Sequence, residues 1–193
     1  MRPAVALASS PVEFSLIQSS KIRFRSLYNC DLPLLSTWLN RGFVSKWLGG
    51  HRLTYEEVEA RYGPRIRGAV PIMPFLMLYD DLPIGYAETY DLADRPRYNR
   101  LVRAGSGTAG VDFFIGESDY LYGGFSTAML SAFLDRVVFR NCGTERCIAG
   151  ADVRNRDALR CYERAGFDFW KLINLPAKGR SICLMGIGRS ALQ

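Results

Sequence analysis

Residues 155–167 read NRDALRCYERAGF. Asn155 has the side chain of a helix N-cap, whose oxygen accepts a hydrogen bond from a backbone N–H of the first turn. Ala158, Tyr162 and Ala165 recur at the interval that places them on one helix face. Gly166 then stands where a left-handed residue ends a helix at low cost. The stretch therefore predicts a helix over Arg156–Ala165 that presents a tyrosine to whatever it packs on, followed by a strand over Phe167–Leu172. Arg146–Ala151 reads as a short buried strand before it, and Arg180–Gly186 as an antiparallel partner after it.

Further upstream, Ala109–Ile115 is a near-continuous apolar strand interrupted only by Asp112. A carboxylate inside such a strand is costly to bury and needs a partner or a task, an arginine salt bridge being the structural alternative. Soon afterwards Tyr122-Gly123-Gly124-Phe125-Ser126-Thr127 opens a helix over Gly124–Phe139, with Phe125, Met129, Leu130, Phe133, Leu134, Val137 and Val138 at helical spacing. Glycines just ahead of a helix leave its first N–H groups free to meet an anion, and the helix dipole favours negative charge there. Taken alone, the loop reads equally well as an ordinary glycine-rich turn.

The remaining elements follow from local pattern. Ile22, Phe24 and Ser26 alternate with Arg23, Arg25 and Leu27 as in a strand. Asp31 is read as the N-cap of a helix carrying Leu34, Leu35, Trp38 and Leu39. Gly42 and Gly49-Gly50 bracket a loop containing Phe43, Val44 and Trp47. Thr54 and Glu57 form a capping box opening a helix through Tyr62. Pro74–Tyr79 and Pro83–Tyr90 read as a hairpin about Asp80-Asp81. Residues 91–109 show little periodicity and read as a long connection. The predicted fold class is α/β (α+β), a mixed, mostly antiparallel sheet with helices on both faces.

The block Asn155–Phe167 resembles the motif N-x-x-A-x-x-x-Y-x-x-x-G-F of the GNAT superfamily of acetyltransferases. Gly110-Val111-Asp112 is similar to the corresponding segment of the aminoglycoside 6′-N-acetyltransferases. Trp38-Leu39-Asn40-Arg41, Trp47-Leu48-Gly49-Gly50 and Pro83–Tyr90 resemble further segments of that family, so the likeness covers roughly residues 21–186. It implies acetyl-coenzyme A as co-substrate and a small-molecule primary amine as acceptor. In residue terms it implies Asp112 as the group that orients and deprotonates the amine, and Tyr162 as the acid for the departing thiolate. Phe113, Phe114, Ile115, Tyr122, Gly123, Gly124, Phe125, Ser126, Thr127, Asn155 and Ala158 would hold the coenzyme, and Trp47, Glu88, Tyr90, Asp91 and Asp152 the acceptor. Core packing is the alternative reading for Trp47 and Tyr90.

Ser126 departs from the family's second small residue and Leu121 from its Arg or Gln, which predicts weakened rather than abolished coenzyme binding. Arg95, Arg97, Arg100 and Arg103 would repel a polycation unless they point into solvent. Acylation of a different amine, such as a siderophore precursor, and a coenzyme A-binding module without turnover therefore stay open.

With 193 residues, of which 48% are hydrophobic, the chain is expected to form one domain over residues 21–193 behind a disordered or loosely packed extension, residues 1–20. No apolar stretch approaches the roughly 20 residues of a membrane span. The net charge of +6 is dispersed, without a nucleic-acid-binding signature. Five cysteines, an odd number with no C-x-x-C pair, and a single histidine point to reduced thiols, a cytoplasmic setting and no metal site. A monomer or a homodimer is expected.

Overall fold

The computed structural model describes residues 17–175 and 179–192, so residues 1–16 of the expected extension lie outside the described residues. Strands β1 (Ile22–Ser26), β2 (Met73–Tyr79), β3 (Leu82–Asp91), β4 (Thr108–Ile115), β5 (Arg146–Asp152), β6 (Asp168–Leu175) and β7 (Arg180–Gly188) form one seven-stranded sheet, ordered β1-β2-β3-β4-β5-β7-β6. Every pairing is antiparallel except that of β4 with β5.

The helices are α1 (Leu32–Leu39), α2 (Gly42–Leu48), α3 (Tyr55–Ile66), α4 (Pro96–Val102), α5 (Phe125–Phe133) and α6 (Arg156–Arg164). Strand side chains alternate between faces. Leu76 and Tyr86 accordingly meet α1 and α3 on one face. Their neighbours Met77 and Ala87, with Val111 and Ala149, meet α5 and α6 on the other. On the first face, Val102 of α4 packs with Tyr90, Ile148 and Leu184.

The parallel pairing that positions the site is short. It runs only from Thr108↔Arg146 to Val111↔Ala149. Beyond it, β4 stays with β3 through Asp112↔Glu88 and Phe114↔Tyr86, while β5 stays with β7 through Asp152↔Ile182. Each strand is held by its antiparallel neighbour, so the two ends diverge and leave a gap in the sheet.

The hairpin and the capping box form as expected. Asp80 and Asp81 both adopt positive φ, 53° and 62°, the geometry of a two-residue turn. The Glu57 N–H donates to Thr54 Oγ1 at 3.3 Å and the Thr54 N–H to Glu57 Oε2 at 2.8 Å.

Other local expectations need correction. Asp31 does not cap α1: its carboxylate accepts two hydrogen bonds from Arg25, at 2.7 and 2.8 Å, and one from the Tyr28 N–H at 2.8 Å. The segment with Phe43, Val44 and Trp47 is helical. Helix α3 continues past Tyr62 through Gly63-Pro64 to Ile66, its last turn tied to the sheet by Tyr62 packed edge-on against Tyr86 at 5.4 Å. Residues 91–109 contain α4, begun by Pro96 and anchored by the fully buried Val102. After Phe133 the long helix relaxes into a π turn, Leu134–Val138.

Candidate active site

The gap between β4 and β5 is a cleft with two ends. One end, a cavity of about 290 Å³, is lined by Asp112, Glu88, Asp152, Tyr162 and the arginines Arg61, Arg65 and Arg180. The other, about 450 Å³, runs to Ile115, Tyr122, Gly123, Gly124, Ser126 and Thr127. Trp47, Phe113, Phe114, Asn155, Ala158 and Tyr162 line both, so the two ends are continuous. On β4, Phe114 stacks on Tyr86 at 5.6 Å, whereas Phe113 meets Tyr162 edge-on at 6.2 Å. Because Asp112 shares the face of Phe114, Asp112 and Tyr162 approach the gap from opposite faces of β4, and the cleft passes through the sheet between them.

Asp112 is reached by solvent through the cleft, yet protein rises around it. Its pKa is pushed up by that partial desolvation, against the pull of the Tyr90 hydroxyl and the charges of Arg95, Arg65 and Arg61. The carboxylate is recessed rather than sealed. Tyr90 donates to Asp112 Oδ2 at 3.2 Å, its ring lying under the Arg95 guanidinium at 4.5 Å. Gly110 makes this possible: a Cβ there would sit 2.3 Å from the Tyr90 ring. Glu88, opposite Asp112 in the register, accepts short hydrogen bonds from Tyr86 and Arg65. Burial, and then the neighbouring Asp112 carboxylate, push the Glu88 pKa up. Asp152 is instead held well below the usual carboxylate range by the fork of Arg154, at 2.8 Å on each oxygen.

At the other end, Gly123 and Gly124 adopt φ of +75° and +86° ahead of α5. The backbone N–H groups of Phe125, Ser126 and Thr127 find no acceptor among the described residues, so the helix start is open to an anion. Lys46, Arg160 and Arg164 line the same end. Asn155 caps α6 as expected, accepting from the Ala158 N–H at 3.2 Å. Burial pushes the pKa of Tyr162 well up, with the Asp112 charge adding to it, and raises that of Cys161 to about 11. Both therefore stay protonated near neutrality.

Three expected residues lie differently. The Phe125 side chain packs against Tyr79 and Tyr120, at 5.0 and 4.9 Å, leaving only its backbone at the helix start. Tyr90 reaches Asp112 from behind and does not line the cavity that holds Asp112. Asp91 caps the Ala93 N–H and, with Tyr90, lines a separate cavity of about 550 Å³ that contains neither Asp112 nor Tyr162.

A family model for the acetyltransferase (GNAT) domain matches residues 28–175. The chain belongs to the GNAT acetyltransferase family. Aminoglycoside N(6′)-acetyltransferase type 1 of Klebsiella pneumoniae is 26% identical over 168 residues, 85% of this chain and 83% of that protein, and its Serratia marcescens namesake matches equally. The solved structure of AAC(6′)-Ib in complex with paromomycin and acetyl-coenzyme A superposes with a TM-score of 0.76 at 25% identity, covering 89% of this chain and 95% of that one. Spermidine N-acetyltransferase from Vibrio cholerae, with coenzyme A and spermine, shares the fold, with a TM-score of 0.69 at 19% identity, covering 90% of this chain and 98% of that one.

In this GNAT domain the Trp-Leu-Asn-Arg segment has a structural role. The Trp38 indole donates to Glu117 Oε1 at 2.7 Å, and Arg41 to Glu117 Oε2 at 2.6 Å and to the Gly116 carbonyl at 2.7 Å. These bonds join the end of β4 to the start of α2, which carries Trp47 to the junction of the two cavities. Arg97, Arg100 and Arg103 are exposed, and none of the four arginines of residues 95–103 lines either end. The cations at the Asp112 end are Arg61, Arg65 and Arg180, which the sequence alone does not single out. Arg61 and Arg65 stand one helical turn apart on the α3 face that includes Val58 and Tyr62, which was the one signal available.

Proposed function

We propose that this GNAT protein transfers the acetyl group of acetyl-coenzyme A to a primary amine of a small molecule, as do the aminoglycoside 6′-N-acetyltransferases to which it is similar, by direct attack of the amine on the thioester. The observation that carries this reading is that Asp112 and Tyr162 line one cleft whose far end opens on N–H groups of α5 that find no acceptor among the described residues. Those N–H groups, with Lys46, Arg160 and Arg164, fit a pyrophosphate, and Phe113, Phe114 and Ala158 offer apolar walls to an extended thiol arm.

Asp112 accepts a proton from the ammonium, and its raised pKa brings it closer to that task than an ordinary carboxylate. The neutral nitrogen forms its bond to the thioester carbon as the C–S bond breaks and sheds its second proton to water, and Asp112 gives up its own proton to solvent before the next turnover. Tyr162 donates its phenolic proton to the departing sulfur and is reprotonated from water. Cys161 lines the coenzyme end, but with its pKa at about 11 it is a poor nucleophile, which favours direct transfer over an acyl-cysteine.

Calorimetric titration with acetyl-coenzyme A, followed by thiol release across a panel of amines, tests the proposal. Binding with release in the presence of a primary amine is the expected outcome, and Asp112→Asn should lower kcat/KM at least tenfold, about 1.4 kcal/mol. Binding without turnover of any amine would leave a coenzyme-binding module. Among acceptors, one that carries a carboxylate is favoured by the balance of charge at the acceptor end.

A further inference from the structure

We infer that the acceptor end of the cleft takes an amine that also carries an anionic oxygen group, with the amine at Asp112 and the anion held by Arg180 and Arg61. The inference rests on the acetyl-transfer reading for the amine and on the charges of the cavity for the anion.

The acceptor end is lined by the carboxylates Glu88, Asp112 and Asp152 and by the guanidinium groups Arg61, Arg65 and Arg180. Pairing removes most of the negative side. Glu88 is bonded to Arg65 and to the Tyr86 hydroxyl. Asp152 is closed in the Arg154 fork, with a third bond from the Arg154 N–H at 3.0 Å. Of the three, Asp112 alone has no ion-pair partner among the described residues, its one side-chain hydrogen bond coming from Tyr90.

The positive side is left over. Among the described residues neither Arg61 nor Arg180 pairs with a carboxylate. Arg61 lies over the Tyr62 ring at 5.6 Å, and the buried Nε of Arg180 has no hydrogen-bond acceptor among the described residues. A buried donor without an acceptor is unfavourable, and an oxygen supplied by a ligand satisfies it. The guanidinium fork suits carboxylate and phosphate oxygens. A polycation would meet one free carboxylate and two free guanidinium groups, whereas an amine bearing an anion finds a partner for each charge.

A matched series tests this: 1-aminohexane, 1,6-diaminohexane, 6-aminohexanoate and 6-aminohexyl phosphate, with 4-aminobutanoate and 8-aminooctanoate to vary reach and kanamycin as the polycation. Thiol release from acetyl-coenzyme A by the full chain should show kcat/KM at least tenfold higher for the best anionic member than for 1-aminohexane. The carboxylate and phosphate arms decide which oxyanion is preferred. Arg180→Gln should cut the ratio of anionic to neutral substrate at least tenfold, and Arg180→Lys, which keeps the charge without the Nε donor, should give a smaller cut. Arg97→Gln, outside the cleft, should leave the ratio unchanged.

A diamine, kanamycin or 1-aminohexane used as well as every anionic member overturns the inference. So does a ratio that survives Arg180→Gln in protein shown to be folded by its thermal transition. Should no amine be turned over, the acetyl-transfer reading fails separately. Calorimetric titration of the same series into the coenzyme A-bound chain then decides: anion-dependent binding lost in Arg180→Gln supports the inference, and absence of any anion preference overturns it.

Discussion

At Asp112 the enclosing protein and the neighbouring groups act in opposite directions, and the net effect raises the pKa. The carboxylate is the active form, so turnover should fall as pH drops through a value above the ordinary carboxylate range. A pH profile of kcat should show that acid limb, and Asp112→Asn should abolish it. Tyr90→Phe tests the opposing contribution. The phenyl ring still packs against Gly110, but the hydrogen bond that lowers the Asp112 pKa is gone, so the acid limb should move to higher pH. An unmoved limb would make Tyr90 a packing residue only. Tyr162→Phe should reduce kcat more than it weakens acetyl-coenzyme A binding, because the hydroxyl acts as sulfur departs. Equal losses would mark a packing role for that ring, which also touches Phe167 at 5.6 Å.

Among elements, the start of α5 and the divergence of β4 from β5 do the positioning. Gly124 sits at φ +86°, and a Cβ there would meet only Ile17 Cδ1 at an ordinary contact distance of 3.8 Å, so Gly124→Ala brings backbone strain rather than a clash. That strain should cost roughly 1–2 kcal/mol, read by urea unfolding. Acetyl-coenzyme A affinity should fall as well, because the N–H groups of the first turn are displaced, and calorimetry that finds affinity intact would remove the loop from coenzyme binding. The capping box, the hairpin, Asn155 and the Gly123-Gly124 loop were all readable in the sequence because each is a local arrangement within a few residues. Helices α2 and α4 were not, since seven residues carry too little periodicity to register, and tertiary anchors such as Val102 hold them. The last turn of α3 was hidden by Gly63-Pro64, which reads as a stop, and that turn delivers Arg65 to Glu88.

For the whole molecule, a ligand that bridges α2, β4, α5 and α6 should stabilise all of them together. Acetyl-coenzyme A at about 100 times its Kd should add about 2.7 kcal/mol, raising Tm by roughly 5 to 10 °C in a scanning fluorimetry titration. A Tm that does not respond would separate the cleft from coenzyme binding. The sequence by itself determined the order along the chain of the strands and the main helices, the glycine-opened helix, and the placing of one carboxylate on a strand and one phenol on a helix face. Those are consequences of period, caps and turn chemistry, which act along the chain. Only the tertiary structure decided that Tyr90 stands behind Asp112, that Asp91 faces elsewhere, and that the cations lining the Asp112 end of the cleft are Arg61, Arg65 and Arg180 rather than those of residues 95–103. The physical reason is that charge pairing and desolvation depend on distance through space, and a long side chain's direction is set by what it packs against, not by its neighbours in sequence.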